Sequence, residues 1–425
     1  MRADAKALAT LARPRVLNLL AIALLSRTIV AVLPITLLVT LAQTYGYGIG
    51  GAVNGTYTLV LAFLGPLRGR VLDRVGQRRA LAAMGAGAMT FMALVAVSVA
   101  FRWSWWLSLV LVIAAGLSSP PLNAALRTSW RRVVDDQESL KIVHSADSVL
   151  EEVGFVLAPL AAGLALALLQ PRHAYEASVG LYILVITAYL LAAKAYGLGQ
   201  RAGTGTPELA TQRTAWQRWL GPLAESQMLL IMVPLLVMGC IFGGIGIFVP
   251  AYTQHLHALI WLGPLLAMIS IGGVIGGIVY GILPWKIDLW RKYRILMLGF
   301  ALPCCLLIAA RPLWILALLL VLSGLFVTPL FINAFLLVDD AIPEDSRHEA
   351  NTWVGASTDV ANGIVAILIG ALVAGGHWQS ALTVLSGCAL VGVVIVLLWR
   401  GKAGLDRFRT SAPAADRLDD DRAYT

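Results

Sequence analysis

The sequence consists largely of apolar runs of about twenty residues, separated by short stretches that contain charges, Gly or Pro. A helix of that length crosses about 30 Å of hydrocarbon, whereas the strands of membrane barrels are shorter and alternate in polarity. Of the 425 residues, 59% are hydrophobic and only 13% are charged, which excludes an ordinary soluble domain. The pattern therefore predicts an all-α integral membrane protein.

Twelve apolar runs can be counted between Val16 and Trp399. Because twelve is even, both termini lie on one side of the membrane. If that side is the cytoplasm, the inside segments hold 28 of the 32 Lys and Arg residues, as the positive-inside rule requires. We predict a multi-pass protein of the cell (plasma) membrane with both termini cytoplasmic. The net charge of +9 is spread over the loops, so it indicates no nucleic-acid partner.

The sequence also predicts a division into two halves. The stretch GLGQRAGTGTPELATQRT is polar and rich in Gly and Thr, so it cannot bury a core. Helix five contains EEVGFVLAPLAAG and helix eleven contains ANGIVAILIGALV, which favours two pseudo-symmetric six-helix bundles with Gly154 and Gly363 in matching places. The predicted units are an N-terminal bundle over 1–196, a cytoplasmic linker over 197–222, a C-terminal bundle over 223–400 and a disordered cytoplasmic tail over 401–425.

One charged connection carries a recognisable motif. Between the second and third apolar runs the chain reads GRVLDRVGQRR, which closely resembles the signature of the major facilitator superfamily, Gly-x-x-x-Asp-Arg-x-Gly-x-Arg-Arg. The matching residues are Gly69, Asp73, Arg74, Gly76, Arg78 and Arg79. The resemblance implies a twelve-helix transporter in which this loop latches the cytoplasmic gate. A plain positive-inside anchor is the alternative, and it explains the arginines but neither the aspartate nor the glycines.

Helix five resembles a second element of the family, the Gly-x-x-x-Gly-Pro-x-x-Gly-Gly of its exporters. The segment GFVLAPLAAG supplies Gly154, Pro159 and Gly163, with alanine in two of the glycine places. Ordinary helix packing predicts much the same small residues. Helix four departs from the proton-coupled exporters, because its first basic residue, Arg127, is expected at the cytoplasmic end. Proton coupling through a helix-four arginine is therefore not carried over.

Several charged side chains fall inside the predicted spans, where each isolated charge costs about 2.5–3.5 kcal/mol. These are Arg27, Asp147, Glu151, Glu152 and Asp359. The resemblance brings helices one and five to a central cavity, where Arg27 can pair with Glu151 or Glu152 and leave the other as a proton carrier. Because Glu151 shares a helix face with Asp147, we favour Glu151 as the carrier and Glu152 as the partner. A salt bridge that only locks two helices is the alternative. Trp353 and Asn362 are further cavity candidates.

These features predict a secondary active transporter that works by alternating access, with proton-coupled efflux of a small amphipathic or hydrophobic compound as the favoured activity. The alternatives are an importer of a small metabolite, by symport or uniport, and a membrane sensor that does not transport. No HExxH, GxSxG or P-loop pattern occurs, so no enzyme is predicted. The four cysteines lie in apolar runs without CxxC spacing, so we expect no metal and no cofactor. The expected partners are the substrate, protons and lipid, and the expected state is a monomer.

Overall fold

A computed structural model describes residues 10–75, 77–134, 136–198, 225–310, 312–342 and 344–398. The described residues are almost entirely helical. Most of the predicted linker and all of the predicted tail lie outside these ranges. Eleven helical stretches of the described part are long and apolar enough to cross a membrane, and a shorter apolar helix, Trp105–Ser118, supplies the remaining pass. The expected twelve-pass, all-α architecture is confirmed.

In the part of the chain that the structure describes, seven α-helices form the first six passes, because the fourth pass is made of two pieces. In chain order they are α1 (Pro14–Tyr45), α2 (Tyr47–Val75), α3 (Gln77–Ala100), α4 (Trp105–Ser118), α5 (Leu122–Val133), α6 (Gln137–Leu168) and α7 (Pro171–Ala195). Asp136 caps α6, since its side chain accepts a hydrogen bond from the backbone N–H of Ser139 at 2.9 Å.

The last six passes are also formed by seven helices. They are α8 (Ser226–His255), α9 (Leu262–Ile282), α10 (Leu289–Cys305), α11 (Leu313–Gly324), α12 (Val327–Ala341), α13 (Glu344–Ala374) and α14 (Trp378–Leu398). We call the side of the bilayer at which α1 begins and α14 ends the terminal side, and the other the opposite side.

The fourth and tenth passes each contain two α-helices, although the sequence predicts each as one continuous helix. In the fourth pass, Ser119 has φ −65° and ψ 121°, as expected for a residue that precedes proline, and the prolines at 120 and 121 cannot donate backbone hydrogen bonds. In the tenth pass, the helix ends at Gly324, whose Cα lies close against the backbone of α9. The single-helix expectation is wrong for the fourth pass, whereas in the tenth pass Leu325 and Phe326 keep right-handed helical dihedrals and Leu313–Ala341 remains one apolar helical stretch.

Each half has its own apolar core. The first contains the buried rings of Trp130, Tyr175 and Tyr189, and the second contains those of Tyr293 and Phe300. Many large apolar side chains are nonetheless exposed, as a surface that faces lipid requires.

Within the described residues, two helix pairs make most of the contacts between the halves, and we call them the α2–α13 seam and the α6–α9 seam. A Cβ atom placed on Gly51 would lie 2.9 Å from the Cα of Gly370, and one placed on Gly263 would lie 2.7 Å from the carbonyl oxygen of Pro159. Glycines therefore let the backbones touch. Counted along the helices, these contacts lie towards the opposite side. The Tyr47 hydroxyl also donates a hydrogen bond of 2.5 Å to Gln254 Oε1 there, again from one half to the other.

Candidate functional site

Arg27 lies near the middle of α1, about 20 Å along the helix axis from Pro14 at 1.5 Å per residue. Its guanidinium is buried and binds α6 twice. Nη1 donates to the backbone carbonyl of Asp147 at 2.6 Å, and Nη2 donates to Asp147 Oδ2 at 2.9 Å. A charge-assisted pair of this kind offsets the cost of two charges at this depth.

Two further charges extend the pair into a cluster. Glu151 follows Asp147 by one turn of α6, and its Oε2 lies 3.9 Å from Arg27 Nη2 and 2.7 Å from Arg127 Nη2. Arg127 Nε in turn lies 4.0 Å from Asp147 Oδ2. These four residues are the ion-pair cluster: two guanidiniums alternate with two carboxylates, so the formal charges balance.

The ion-pair cluster reaches from the core to an open surface. The side chains of Arg27 and Asp147 are only 4% and 3% exposed, whereas those of Glu151 and Arg127 are 29% and 54% exposed. Water or a ligand can therefore approach the cluster from the Arg127 end. Glu151 binds both arginines and so links the exposed pair to the buried one.

Local sequence explains the approach of α1 to α6. A Cβ atom placed on Gly154 would lie 3.0 Å from the Cβ of Arg27, so a larger side chain would push the helices apart where the guanidinium bonds Asp147. The glycine of the exporter-like element thus serves the α1–α6 contact. Pro159 and Gly163 of the same element serve a different contact, the α6–α9 seam.

The interruption of the fourth pass is held by a residue that sequence analysis missed. Arg68 of α2 is buried, and its Nη1 donates to the carbonyl of Ser119 at 3.2 Å, while Nε donates to the carbonyl of Leu64 at 3.2 Å and Nη2 donates to the carbonyl of Leu61. A guanidinium can satisfy several carbonyls that a broken helix leaves unpaired. The sequence does contain a signal. Arg68 is a basic residue close before the third and fourth apolar runs, which pack together, and the fourth run contains Pro-Pro.

Two carboxylates of the predicted set stand outside the ion-pair cluster. Glu152 is half-buried and Asp359 is exposed, and neither forms an ion pair within the described residues. At 100° per residue, Glu152 lies within about 20° of Pro159 on α6, and Asp359 lies within about 20° of Gly370 on α13. Both carboxylates therefore lie on the helix face that forms a seam, nearer the terminal side than the seam contacts.

The positions of these two carboxylates are equivalent in the two halves. Glu152 precedes the seam residue Gly163 by the same eleven positions that separate Asp359 from the seam residue Gly370. The packing thus makes Gly163 and Gly370 the equivalent positions of the two halves. The pairing of Gly154 with Gly363, expected from sequence, is not the structural one, because Gly154 packs on α1 whereas Gly363 packs on α2.

The structure corrects one further expectation from sequence and adds a contact to another. Glu152 is not the partner of Arg27, because Asp147 and Glu151 hold its guanidinium. Arg127, expected at the cytoplasmic end of the fourth pass, contacts the intramembrane carboxylate of Glu151 at 2.7 Å. Trp353 packs against the second core, and the backbone of Asn362 lies against Gly243 of α8; neither joins the ion-pair cluster.

The gate motif is only partly within the described residues. Gly69, Asp73 and Arg74 lie in the last turns of α2, but their side chains are not described, and Gly76 lies outside the described residues altogether. Arg78 and Arg79 are exposed at the start of α3. Within the described ranges, no group of three or more His, Cys, Asp or Glu side chains is arranged to hold a metal ion.

Twelve passes in two halves, joined by glycine seams and with paired charges at mid-depth, define a polytopic helical membrane protein with a polar centre. The sequence matches the family model of the Major Facilitator Superfamily over residues 16–302 and 290–418. The chain therefore belongs to this superfamily of transporters. No curated protein matches the sequence at a significant level.

Solved structures with the same fold cover nearly the whole chain. The nucleoside transporter NupG superimposes with a TM-score of 0.68 at 14% identity, over 91% of this chain and 99% of NupG. A bacterial homologue of the iron transporter ferroportin in an inward-facing state gives 0.71 at 16% identity, over 91% and 98% of the two chains. The peptide transporter POT in complex with sulfate gives 0.64 at 15% identity, over 90% and 94%. At these identities the likeness shows the fold alone.

Proposed function

We propose that the protein is a secondary transporter of the plasma membrane that exports a small amphipathic or hydrophobic compound in exchange for protons. The terminal side is the cytoplasm, as the distribution of Lys and Arg favours. Residues 1–196 and 223–400 are the two bundles that move against each other. Both seams and the Tyr47 hydrogen bond close the opposite side, which supports a conformation open to the cytoplasm.

The observation that supports proton coupling is the position of Glu152, a carboxylate without an ion-pair partner in the described residues. Asp147 and Glu151 already have guanidinium partners, so protonation of either would leave a positive charge without its counter-charge. Glu152 has no such partner within the described residues, and in a medium as apolar as the membrane its neutral form costs least. When the terminal halves of α6 and α9 close together, Glu152 on the seam face becomes buried and must bind a proton first.

Asp359 is the equivalent carboxylate on α13, and it is the second proton-binding residue. It lies on the face that meets α2, as Glu152 lies on the face that meets α9. The ion-pair cluster has a different role: it holds α1, α5 and α6 together at mid-depth and presents Glu151 and Arg127 to the substrate. The motif around Asp73 latches the cytoplasmic gate.

The test uses purified protein in proteoliposomes with an imposed pH difference. A panel of amphipathic compounds is screened first, and the direction of movement relative to the proton gradient is recorded. We expect Glu152→Gln to exchange substrate across the membrane at equilibrium while its net transport no longer responds to the pH difference. Glu176→Gln is the matched control, because Glu176 lies in an exposed ion pair with Arg172 at the opposite side.

Each result decides one part of the proposal. Net transport by Glu152→Gln that still follows the pH difference would remove Glu152 as the carrier. Accumulation of substrate together with inflowing protons would replace export by symport. A protein that moves no compound of the panel in any condition, while it still binds one, would be a sensor.

A further inference from the structure

A cavity of about 760 Å³ opens at the opposite side, away from the ion-pair cluster. Its walls come from the turn between α1 and α2, the end of α8, and the adjoining ends of α13 and α14. The lining includes Tyr47, Gln254, His255, His257, Val373 and Trp378. The volume is that of a pocket for a small organic molecule.

Both halves of the protein build this cavity. Tyr47 belongs to α2, whereas Gln254, His255 and Trp378 belong to the second half, and the hydrogen bond from Tyr47 to Gln254 joins the two sets at 2.5 Å. Aromatic rings form the wall next to this hydrogen bond, because the ring of His255 stacks on that of Trp378 with centroids 4.9 Å apart. Separation of the halves at this side would remove Gly46 and Tyr47 from the wall of the cavity.

The polar groups of the lining favour a negatively charged ligand. His255 and His257 are exposed to the cavity, and neither side chain has a hydrogen-bond partner in the described residues. The amide nitrogen of Gln254 is free to donate, since the bond from Tyr47 uses only its oxygen. The residues that line the cavity include no Asp or Glu. Imidazole and amide N–H groups are donors, and an imidazole that gains a proton becomes a cation.

The backbone of His257 determines where its imidazole lies. Its φ is 53°, in the left-handed region that a residue other than glycine occupies at a cost. The chain leaves α8 in this conformation, with the His257 N–H donating to the carbonyl of Gln254 at 3.0 Å. The N–H of Ala258 also donates to the carbonyl of Thr253 at 2.7 Å, as in an ordinary left-handed helix end, and this turn holds the imidazole at the cavity mouth.

We propose that this cavity binds a planar aromatic carboxylate from the outer solution, and that the ligand holds the protein closed on that side. The carboxylate accepts hydrogen bonds from the two imidazoles and the Gln254 amide, while the ring packs against Trp378 and Tyr47. Because the Tyr47 wall of the site is in place only while both halves are together, a ligand that packs on it binds that state more tightly and shifts the population towards it. This is a regulatory site separate from the transport site proposed above.

The binding test uses the full-length protein in lipid nanodiscs, with 2-naphthoate as the probe and the uncharged 2-naphthalenemethanol as its partner, both by titration calorimetry. We expect at least tenfold weaker binding of 2-naphthoate to the double variant His255→Gln/His257→Gly, and weaker binding of the alcohol to the unaltered protein. Glycine at 257 suits the left-handed backbone, so this variant removes the imidazole without adding strain. His173→Gln, an exposed histidine at the start of α7, is the matched control and should bind normally.

Two further results separate this site from the proposed transport site. Glu152→Gln should bind 2-naphthoate like the unaltered protein, and the probe added outside proteoliposomes should lower the maximum rate of transport without raising the half-saturating substrate concentration, because probe and substrate both favour the state open on the terminal side. Equal affinity for the alcohol and the anion, or normal binding by the double histidine variant, would overturn the proposal. Competition between the probe and the substrate would do so too, because it would place the probe in the central cavity.

Discussion

At the scale of single residues, the pair between Arg27 and Asp147 is the most deeply buried ion pair of the described residues. Removing one member leaves the other charge buried without its best partner, which costs about 3–5 kcal/mol. We therefore expect Asp147→Asn and Arg27→Gln each to lower the free energy of unfolding by that amount. The double variant should lose clearly less than the sum, since it leaves no orphaned charge.

The control for this cycle is the surface pair of Arg172 and Glu176, whose Nε and Oε1 atoms are 2.7 Å apart and whose side chains are 48% and 36% exposed. Its coupling energy should stay below about 1 kcal/mol. Unfolding of purified protein in mixed micelles measures both cycles. If the Arg27 cycle gave a coupling energy no larger than the surface cycle, the buried pair would not constrain the helices as described.

At the scale of elements, the glycine contacts of the α2–α13 seam determine how closely the halves meet. A Cβ atom placed on Gly55 would lie 2.6 Å from the carbonyl oxygen of Gly363 and 2.7 Å from Cγ1 of Ile367. Gly55→Ala must therefore separate the two helices, and overpacking of this kind costs about 1–3 kcal/mol. We expect a lower free energy of unfolding and slower transport.

Gly180 of α7 offers a control on the same substitution, since a Cβ atom there would meet no heavy atom within 4 Å. Gly180→Ala should be neutral or stabilise the protein by up to about 1 kcal/mol, because alanine favours the helix. Both variants are compared by thermal unfolding and by transport rate. If Gly55→Ala and Gly180→Ala had the same unfolding temperature and transport rate, the seam would accommodate a methyl group at no cost.

At the scale of the whole molecule, the hydrogen bond from Tyr47 to Gln254 ties the two halves on the opposite side. A net contribution of about 1 kcal/mol corresponds to about a fivefold change in the population of the opened state. We expect Tyr47→Phe to raise the rate of thiol labelling at Ala366→Cys, a buried position on the seam, by about that factor. The four native cysteines are first replaced so that only this thiol reacts.

The matched control is Tyr45→Phe. The Tyr45 hydroxyl donates an equally short hydrogen bond of 2.5 Å to the carbonyl of Trp103, but both residues belong to the first half. Its loss should leave the labelling of Ala366→Cys unchanged. An equal rise in both variants would show that labelling reports local loosening at this end of α1 and α2 and not separation of the halves.

The sequence by itself determined the class, the number of passes and the family, because the requirement to span hydrocarbon acts on each run of residues locally. It also identified the charges that need an explanation, since any charge in an apolar run is costly wherever its helix packs. Only the tertiary structure decided their partners. Adjacent residues differ by 100° around a helix, so Asp147, Glu151 and Glu152 could not be assigned until the rotation of α6 against α1 and α9 was known. The contact of Arg127 with Glu151 likewise could not be assigned until the packing of α5 against α6 was known.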